Sequence, residues 1–273
     1  MNKKAPIVSV ILPTYNWREE WIRNSIESVL NQTYKDFELI IINDASTNDV
    51  EKVIKEYEGK DERVVYVKNE KNLKLTKTLN KWIDLAKGKY IARIDDDDIR
   101  VENKKLEEQV NFMEEHTGYW LIWTNAIIVN ENWDEEYYIE RPSSDKEIRE
   151  KIIVWCRFIH SSIMIRKDIL NKVWKYDPKW NMVEDYELWY RIGIVSKLYS
   201  IELPYVLYRV NNKWVSIKNY RKQKRMTLKI FFKYLKYYPK KHLIKALSLR
   251  LRELIVPPNI TKYILSKLKN IKI

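Results

Sequence analysis

Apolar and polar positions alternate between two periods along the first hundred residues. Ile7-Val8-Ser9-Val10-Ile11-Leu12 is a β-branched run ending at Pro13, and it predicts a first strand. From Arg18 to Asn31 the apolar side chains fall at Trp21, Ile22, Ile26, Val29 and Leu30, the spacing of a helix with one buried face. Glu38 to Ile42 predicts a second strand. Asn43-Asp44-Ala45-Ser46-Thr47 then supplies turn and capping residues for a helix beginning near Asp49. Arg63 to Lys68 reads as a strand, Thr76 to Lys87 as a helix that Gly88 ends, and Lys89 to Ile94 as a further strand. This alternation predicts a doubly wound α/β domain with a mostly parallel sheet. Near-continuous apolar strands agree, because helices cover both faces of such a sheet. Beyond a helix from Glu102 to Glu115 the pattern loosens, with strands at Leu121–Val129, Ser161–Arg166 and Tyr205–Val210 among shorter helices.

The strand from Lys89 ends in Asp95-Asp96-Asp97-Asp98. Four adjacent carboxylates repel one another, so each must be solvated, paired or bound to a cation. Open α/β sheets bind ligands at the carboxyl ends of their strands. There, two carboxylates one residue apart can share a hard divalent ion and leave its other positions to phosphate oxygens. A solvated acidic turn is the plainer alternative.

Three other polar clusters accompany this run. Leu12-Pro13-Thr14-Tyr15-Asn16 follows the first strand and Asn43-Asp44-Ala45-Ser46-Thr47 the second, while Glu184-Asp185-Tyr186-Glu187-Leu188-Trp189-Tyr190-Arg191 lies far downstream. Together with Asn31-Gln32-Thr33-Tyr34 and His160-Ser161-Ser162-Ile163-Met164-Ile165-Arg166, they resemble the family 2 inverting glycosyltransferases, which have the GT-A fold. The likeness runs over residues 6–215. It implies that Pro13, Thr14 and Asn16 line a nucleotide pocket and that Asp44 accepts from the edge of uracil or another base. It implies that Asp95 and Asp97 hold the ribose and a Mg²⁺ or Mn²⁺ ion on the diphosphate of the nucleotide-sugar donor, with Asp96 beside them. Asp185, in the Glu184–Asp185 pair, matches the catalytic base. The chemistry is coherent without the family. A departing nucleoside diphosphate needs its growing charge neutralised, and an attacking hydroxyl needs a carboxylate to take its proton. Glu184 is expected to raise the pKa of Asp185, and a helix N-cap is the structural alternative for Asp185. His160 is expected to be a packed structural histidine. A nucleotidyltransferase would want a glycine- and basic-rich loop after the first strand, and a non-catalytic binding protein of this fold would have no use for the aspartates.

Charge divides the chain. Of a formal net charge of +13, residues 1–217 contribute 34 basic and 37 acidic side chains, whereas from Lys218 onward 17 Lys and Arg face one acid, Glu253. The expected organisation is a catalytic domain over 1–217, with nucleotide-sugar binding in 6–100 and the acceptor part in 101–217, followed by a basic helical tail over 218–273. Basic and apolar residues interleave in that tail at helical spacing, with Pro239 and Pro257-Pro258 dividing it into about three helices. Such helices suit an anionic membrane surface. The other reading is an appendage packed on the body with its lysines in water. No nucleic-acid motif is present. A single cysteine, Cys156, read as a small buried hydrophobe, fits a reducing compartment. No signal peptide or membrane-spanning run is evident, so the expectation is a cytoplasmic protein, peripheral on the inner membrane face, acting on a saccharide or lipid-linked acceptor.

Eleven Trp and four Gly is an inverted ratio for a loop-rich protein. Asn16-Trp17, Asn132-Trp133 and Val173-Trp174-Lys175 read as turns in which glycine is the favoured residue. Trp82 and Trp123 stand where the resembled family usually has glycine, and Trp214 joins the set. One reading is a lineage that favours tryptophan on its surfaces and membrane face; the other is that many of these positions are UGA codons which the source cell reads as glycine.

Overall fold

The computed structural model describes residues 4–154, 158–210 and 219–255. Cys156 and Trp214 lie outside these residues, so their expected roles have no structural counterpart here. The first half follows the alternation in the sequence. Strand β1 (Val8–Thr14) leads to helix α1 (Glu19–Leu30), β2 (Phe37–Asn43) to α2 (Val50–Lys60), β3 (Val64–Lys68) to α3 (Leu75–Leu85), and then comes β4 (Tyr90–Arg93). All residues of β1, β2 and β4 are buried, as sheet layers covered on both faces require.

The chain continues through β5 (Ile99–Arg100), α4 (Lys105–Glu115), β6 (Tyr119–Val129), β7 (Glu135–Ile139), α5 (Asp145–Lys151), β8 (Met164–Arg166), α6 (Lys167–Lys172), α7 (Glu184–Val195) and β9 (Lys197–Arg209). Strand order is β3-β2-β1-β4-β8-β6-β9-β5, with β7 paired to β6. β1 to β4 run parallel in that half, β8 enters antiparallel to β4 and β6, and β6 pairs parallel with β9. The expected strand from Ser161 shrinks to β8, because His160–Ser162 forms a short 3₁₀ turn that brings Ser161 to the aspartates. β1 also runs two residues past its expected end. Pro13 is tolerated there because it pairs with Ile42 on one side only, β4 having left the ladder at Arg93.

Gly88 has a different task from the helix stop its sequence position suggests. A Cβ there would lie 2.4 Å from the Ser9 amide nitrogen and 2.7 Å from the Val8 carbonyl carbon. Its own amide donates to Ser9 Oγ at 2.8 Å, and that hydroxyl donates to buried Glu38. Glycine is required by the close approach of β4 to β1. Gly88→Ala should cost about 2–3 kcal/mol by overpacking against backbone that cannot yield; urea unfolding that leaves the midpoint unchanged would refute this.

The basic tail is not a free arm over its described part. Helices α8 (Tyr220–Tyr234) and α9 (Leu243–Ile255) follow the body, and Ile230, Phe231, Tyr234, Tyr238 and Ala246 are buried in the same core as Trp189 and Tyr190 of α7. Tyr238 Oη donates to the Tyr190 carbonyl at 2.7 Å, in space that Gly193 leaves open. Among the described residues, no helix is long and apolar enough to cross a membrane.

Candidate active site

The loops after β1, β2 and β3 meet at the carboxyl ends of the parallel strands. Asn16 adopts φ 57°, its amide donates to Ser46 Oγ at 3.0 Å, and its Oδ1 accepts from the Thr47 amide at 2.7 Å, tying the first two loops together. Ala45 (φ 60°) and Lys74 (φ 68°) are also left-handed without being Gly or Asn, a strain retained where loops frame a cleft. Asp44 is buried. Its Oδ1 accepts from Asn69 Nδ2 at 2.8 Å and the Leu73 amide at 2.9 Å, and its Oδ2 from the Lys74 amide at 3.1 Å. Three of about four acceptor positions are used, so Asp44 first shapes the loop and retains one position for a ligand.

Each aspartate after β4 meets a different environment. Asp95 Oδ1 is ion-paired to Arg93 Nη2, and the Asp95 amide donates to Ser161 Oγ at 2.9 Å. Asp96 is buried with Oδ2 unpartnered, as is the Oγ1 of buried Thr14. Burial, and then the charge of Asp97, push the Asp96 carboxyl well above its ordinary value. Asp97 is buried, and its carbonyl accepts from Arg209 Nε at 3.1 Å. Asp98 faces inward as a structural clasp, taking the Arg209 amide at 2.9 Å and the Ser161 hydroxyl on its carboxylate, and Ser25 Oγ on its carbonyl at 2.6 Å. The run is therefore a built site and not a solvated turn.

The acidic pair opens α7 with Val183 as the N-cap, so Asp185 is not the cap. Asp185 is partly exposed, and its Oδ1 accepts from the Tyr186 amide at 2.6 Å. Burial raises its pKa and the Asp95 charge adds to this, while Arg93 opposes both. Burial, and not the neighbouring Glu184 as expected, leads the rise at Asp185. Glu184 is buried with Oε2 unpartnered, and burial, followed by the Asp185 charge, pushes it up to about 7. Arg93 is thus the common cation between the strand-end aspartates and the α7 acids, about ninety residues apart in sequence, and Tyr208 feels Asp98, Asp95, Asp97 and Asp185 together.

A pH dependence follows. The folded chain keeps a proton on Glu184 up to about 7, whereas the unfolded chain releases it near the ordinary 4.5. This contribution to stability is full below 4.5 and is lost as pH rises towards 7. Melting temperatures stepped through that window should fall, and Glu184→Gln should flatten the slope; an equal slope in the variant would refute the assignment.

Arg93 and Arg209 were not singled out by the sequence reading, and Asp98 and Ser161 appeared there only within their motifs, without a role. The usable signal was a charged residue inside or at the end of an apolar strand, which must find a partner once buried. His160 is packed as expected, its Nε2 2.7 Å from Tyr176 Oη and its pKa lowered by burial. The helices after residue 218 brace α7 directly. Arg250 Nη2 donates to Tyr186 Oη at 2.5 Å, and Lys233 Nζ lies 3.0 Å from Glu187 Oε1.

A half-parallel α/β sheet carries an aspartate run at its strand ends, set against an acidic helix start. The chain belongs to glycosyl transferase family 2, whose family model, described as "Glycosyl transferase family 2", matches residues 9–174. An uncharacterized glycosyltransferase of Methanocaldococcus jannaschii is 38% identical over 223 residues, covering 80% of this chain and 76% of that protein. The O-antigen biosynthesis glycosyltransferase WbnJ of Escherichia coli is 33% identical over 187 residues, covering 68% of this chain and 71% of its own. Among solved structures, Staphylococcus aureus TarS (residues 1–349) in complex with UDP-GlcNAc superposes with a TM-score of 0.69 at 16% identity, covering 90% of this chain and 72% of that one. The mannosyltransferase PcManGT of Pyrobaculum calidifontis, in complex with GDP-Man and Mn²⁺, gives 0.65 at 15% identity, covering 97% and 81%. Both are of the GT-A type, and this chain shares that fold.

Proposed function

We propose that this chain transfers a glycosyl group from a nucleotide-diphosphate sugar, specifically a UDP-sugar, to an acceptor hydroxyl with inversion, in the synthesis of a cell-surface polysaccharide or glycolipid. One observation carries the reading: Arg93, ion-paired to Asp95 at the head of the aspartate run, also feels the charges of Glu184 and Asp185. Thr14 and Asn16, with Pro13 beneath them in β1, flank the nucleotide, and Asp44 offers its remaining acceptor position to the base. Asp185 takes the acceptor proton. Its partial exposure gives it access to an acceptor, and its raised pKa makes it a stronger base than a solvated aspartate. The UDP assignment has support from the UDP-GlcNAc in the TarS complex.

Mg²⁺ or Mn²⁺ suits the aspartates. Burial and the Asp97 charge raise the Asp96 carboxyl, and a cation beside the run would favour its charged form. Asp95 and Asp97 would hold the ion. Among the described residues no three acidic, cysteine or histidine side chains form a metal cage by themselves, so phosphate oxygens would have to complete the coordination. When bound, such an ion neutralises the charge growing on the leaving diphosphate.

Isothermal titration tests the assignment. UDP should bind more tightly with Mn²⁺ than with chelator, and Asp97→Ala should remove that difference while leaving free uridine unaffected. Equal UDP affinity with and without metal would remove the ion from the account.

A further inference from the structure

We propose that the outer face of the α8–α9 pair binds an anionic lipid surface. Ile244, Leu251 and Ile255 of α9 are 87%, 45% and 78% exposed. At 100° per residue they fall within a stripe about 40° wide, opposite buried Ala246 and Glu253. Exposed Lys245 and Arg252 border the stripe on one side, while Lys241, just before the helix, is paired with Glu150 of the body. The outer face of α8 adds Arg225, Lys229 and Phe232, the last 56% exposed, and the 3₁₀ turn after it adds exposed Lys236. The one acid after Lys218, Glu253, is buried and paired with Lys224 and Arg250, so it offsets none of the outer charge. An apolar stripe bordered by cations is the geometry of a helix lying in a headgroup layer, whereas a helix with its lysines merely in water has no need of three exposed aliphatic side chains. The pair packs on α7, whose first turn carries Glu184 and Asp185, so a membrane held there lies one helix from the acceptor chemistry.

The test uses the full chain and sedimented vesicles. Binding should be strong to phosphatidylglycerol-containing vesicles, weak to pure phosphatidylcholine, and reduced by salt. Ile244→Ser/Leu251→Ser/Ile255→Ser should weaken it by about tenfold or more with an unchanged melting temperature, since the three side chains contribute little to the core. Lys229→Gln/Lys236→Gln/Lys245→Gln should weaken it by about fivefold per charge. Vesicle binding that ignores the serine variant, or equal retention on a lipid-free polyanion such as duplex DNA, would overturn the proposal.

A separate observation carries a second inference, that Trp133 and Trp174 occupy glycine positions and are encoded by UGA read as glycine. They have φ 69° and 66°, while none of the glycines has positive φ. Trp174 ends α6 in the place a C-terminal glycine takes: its amide donates to the Asn171 carbonyl at 3.2 Å and that of Lys175 to the Leu170 carbonyl at 2.7 Å. Its indole is 87% exposed, so packing does not offset the strained backbone. Trp123, in the same suspected set, is fully buried with Nε1 unpartnered and its ring centroid 3.6 Å from Phe158, closer than aromatic pairs normally sit. The gene should carry UGA at these positions, and Trp174→Gly should raise the melting temperature by about 2–4 °C. UGG codons, or a glycine variant that melts no higher, would overturn this.

Discussion

Asp185→Asn should lower glycosyl transfer by roughly 10²- to 10⁴-fold, the usual worth of a positioned general base. The amide keeps an oxygen for the Tyr186 N–H, so α7 should still start where it does and the melting temperature should hold. Donor affinity should be unchanged, because the proposed donor contacts come from the loops after β1 and β2 and from Asp95 and Asp97. Initial rates at saturating donor, paired with UDP titrations, separate the two effects. Loss of UDP binding in step with activity would make Asp185 a donor ligand instead of a base.

Removal of residues 219–273 should abolish the folded enzyme. The sequence alone suggests that such a cut spares the nucleotide site, since every recognisable motif precedes Lys218. The structure reverses that expectation. Ile230, Phe231, Tyr234 and Tyr238 are buried against α7, and each such side chain contributes about 1.5–3 kcal/mol. Their sum is comparable with the 5–15 kcal/mol total stability of an ordinary domain. Glu187 would lose Lys233 and Tyr234, and Tyr186 would lose Arg250, leaving polar atoms unpaired beside the catalytic pair. Circular dichroism and gel filtration of a chain ending at residue 218 should report an aggregating, uncooperative species; a cooperative melt at the full-length temperature would show that the tail is dispensable.

The legible parts of the molecule were those in which one local rule acted alone. β1 to β4 and α1 to α3 follow from periodicity and turn residues, with boundaries shifted by a few positions. Gly88 was misread because its reason is a backbone approach from Ser9, distant in sequence. β5 and β7 were missed because two- and five-residue strands on a sheet edge carry too few positions to show a period. The tail is helical over much of residues 219–255, as read, and the helix expected after Pro257-Pro258 lies outside the described residues; its amphipathic pattern is shared by a helix on a membrane and a helix on a protein. Only packing separates the two: α8 buries Ile230 and Phe231, while α9 leaves Ile244 and Ile255 outside. In the site, the acidic motifs were visible one by one. Arg93, which joins them, was not, because a cation among apolar neighbours gives no hint of which carboxylate it will meet.

The most direct test of the account is the anomer first released from an α-linked UDP-sugar. In the absence of acceptor, water takes the place of the attacking hydroxyl. ¹H NMR can read the free sugar before mutarotation scrambles it. A single displacement with Asp185 as base requires that Mn²⁺-dependent cleavage yield the β-anomer first, and that Asp185→Asn slow its appearance. An α-anomer as the first product, or no cleavage of any nucleotide sugar in a panel of UDP- and GDP-linked donors, would contradict it.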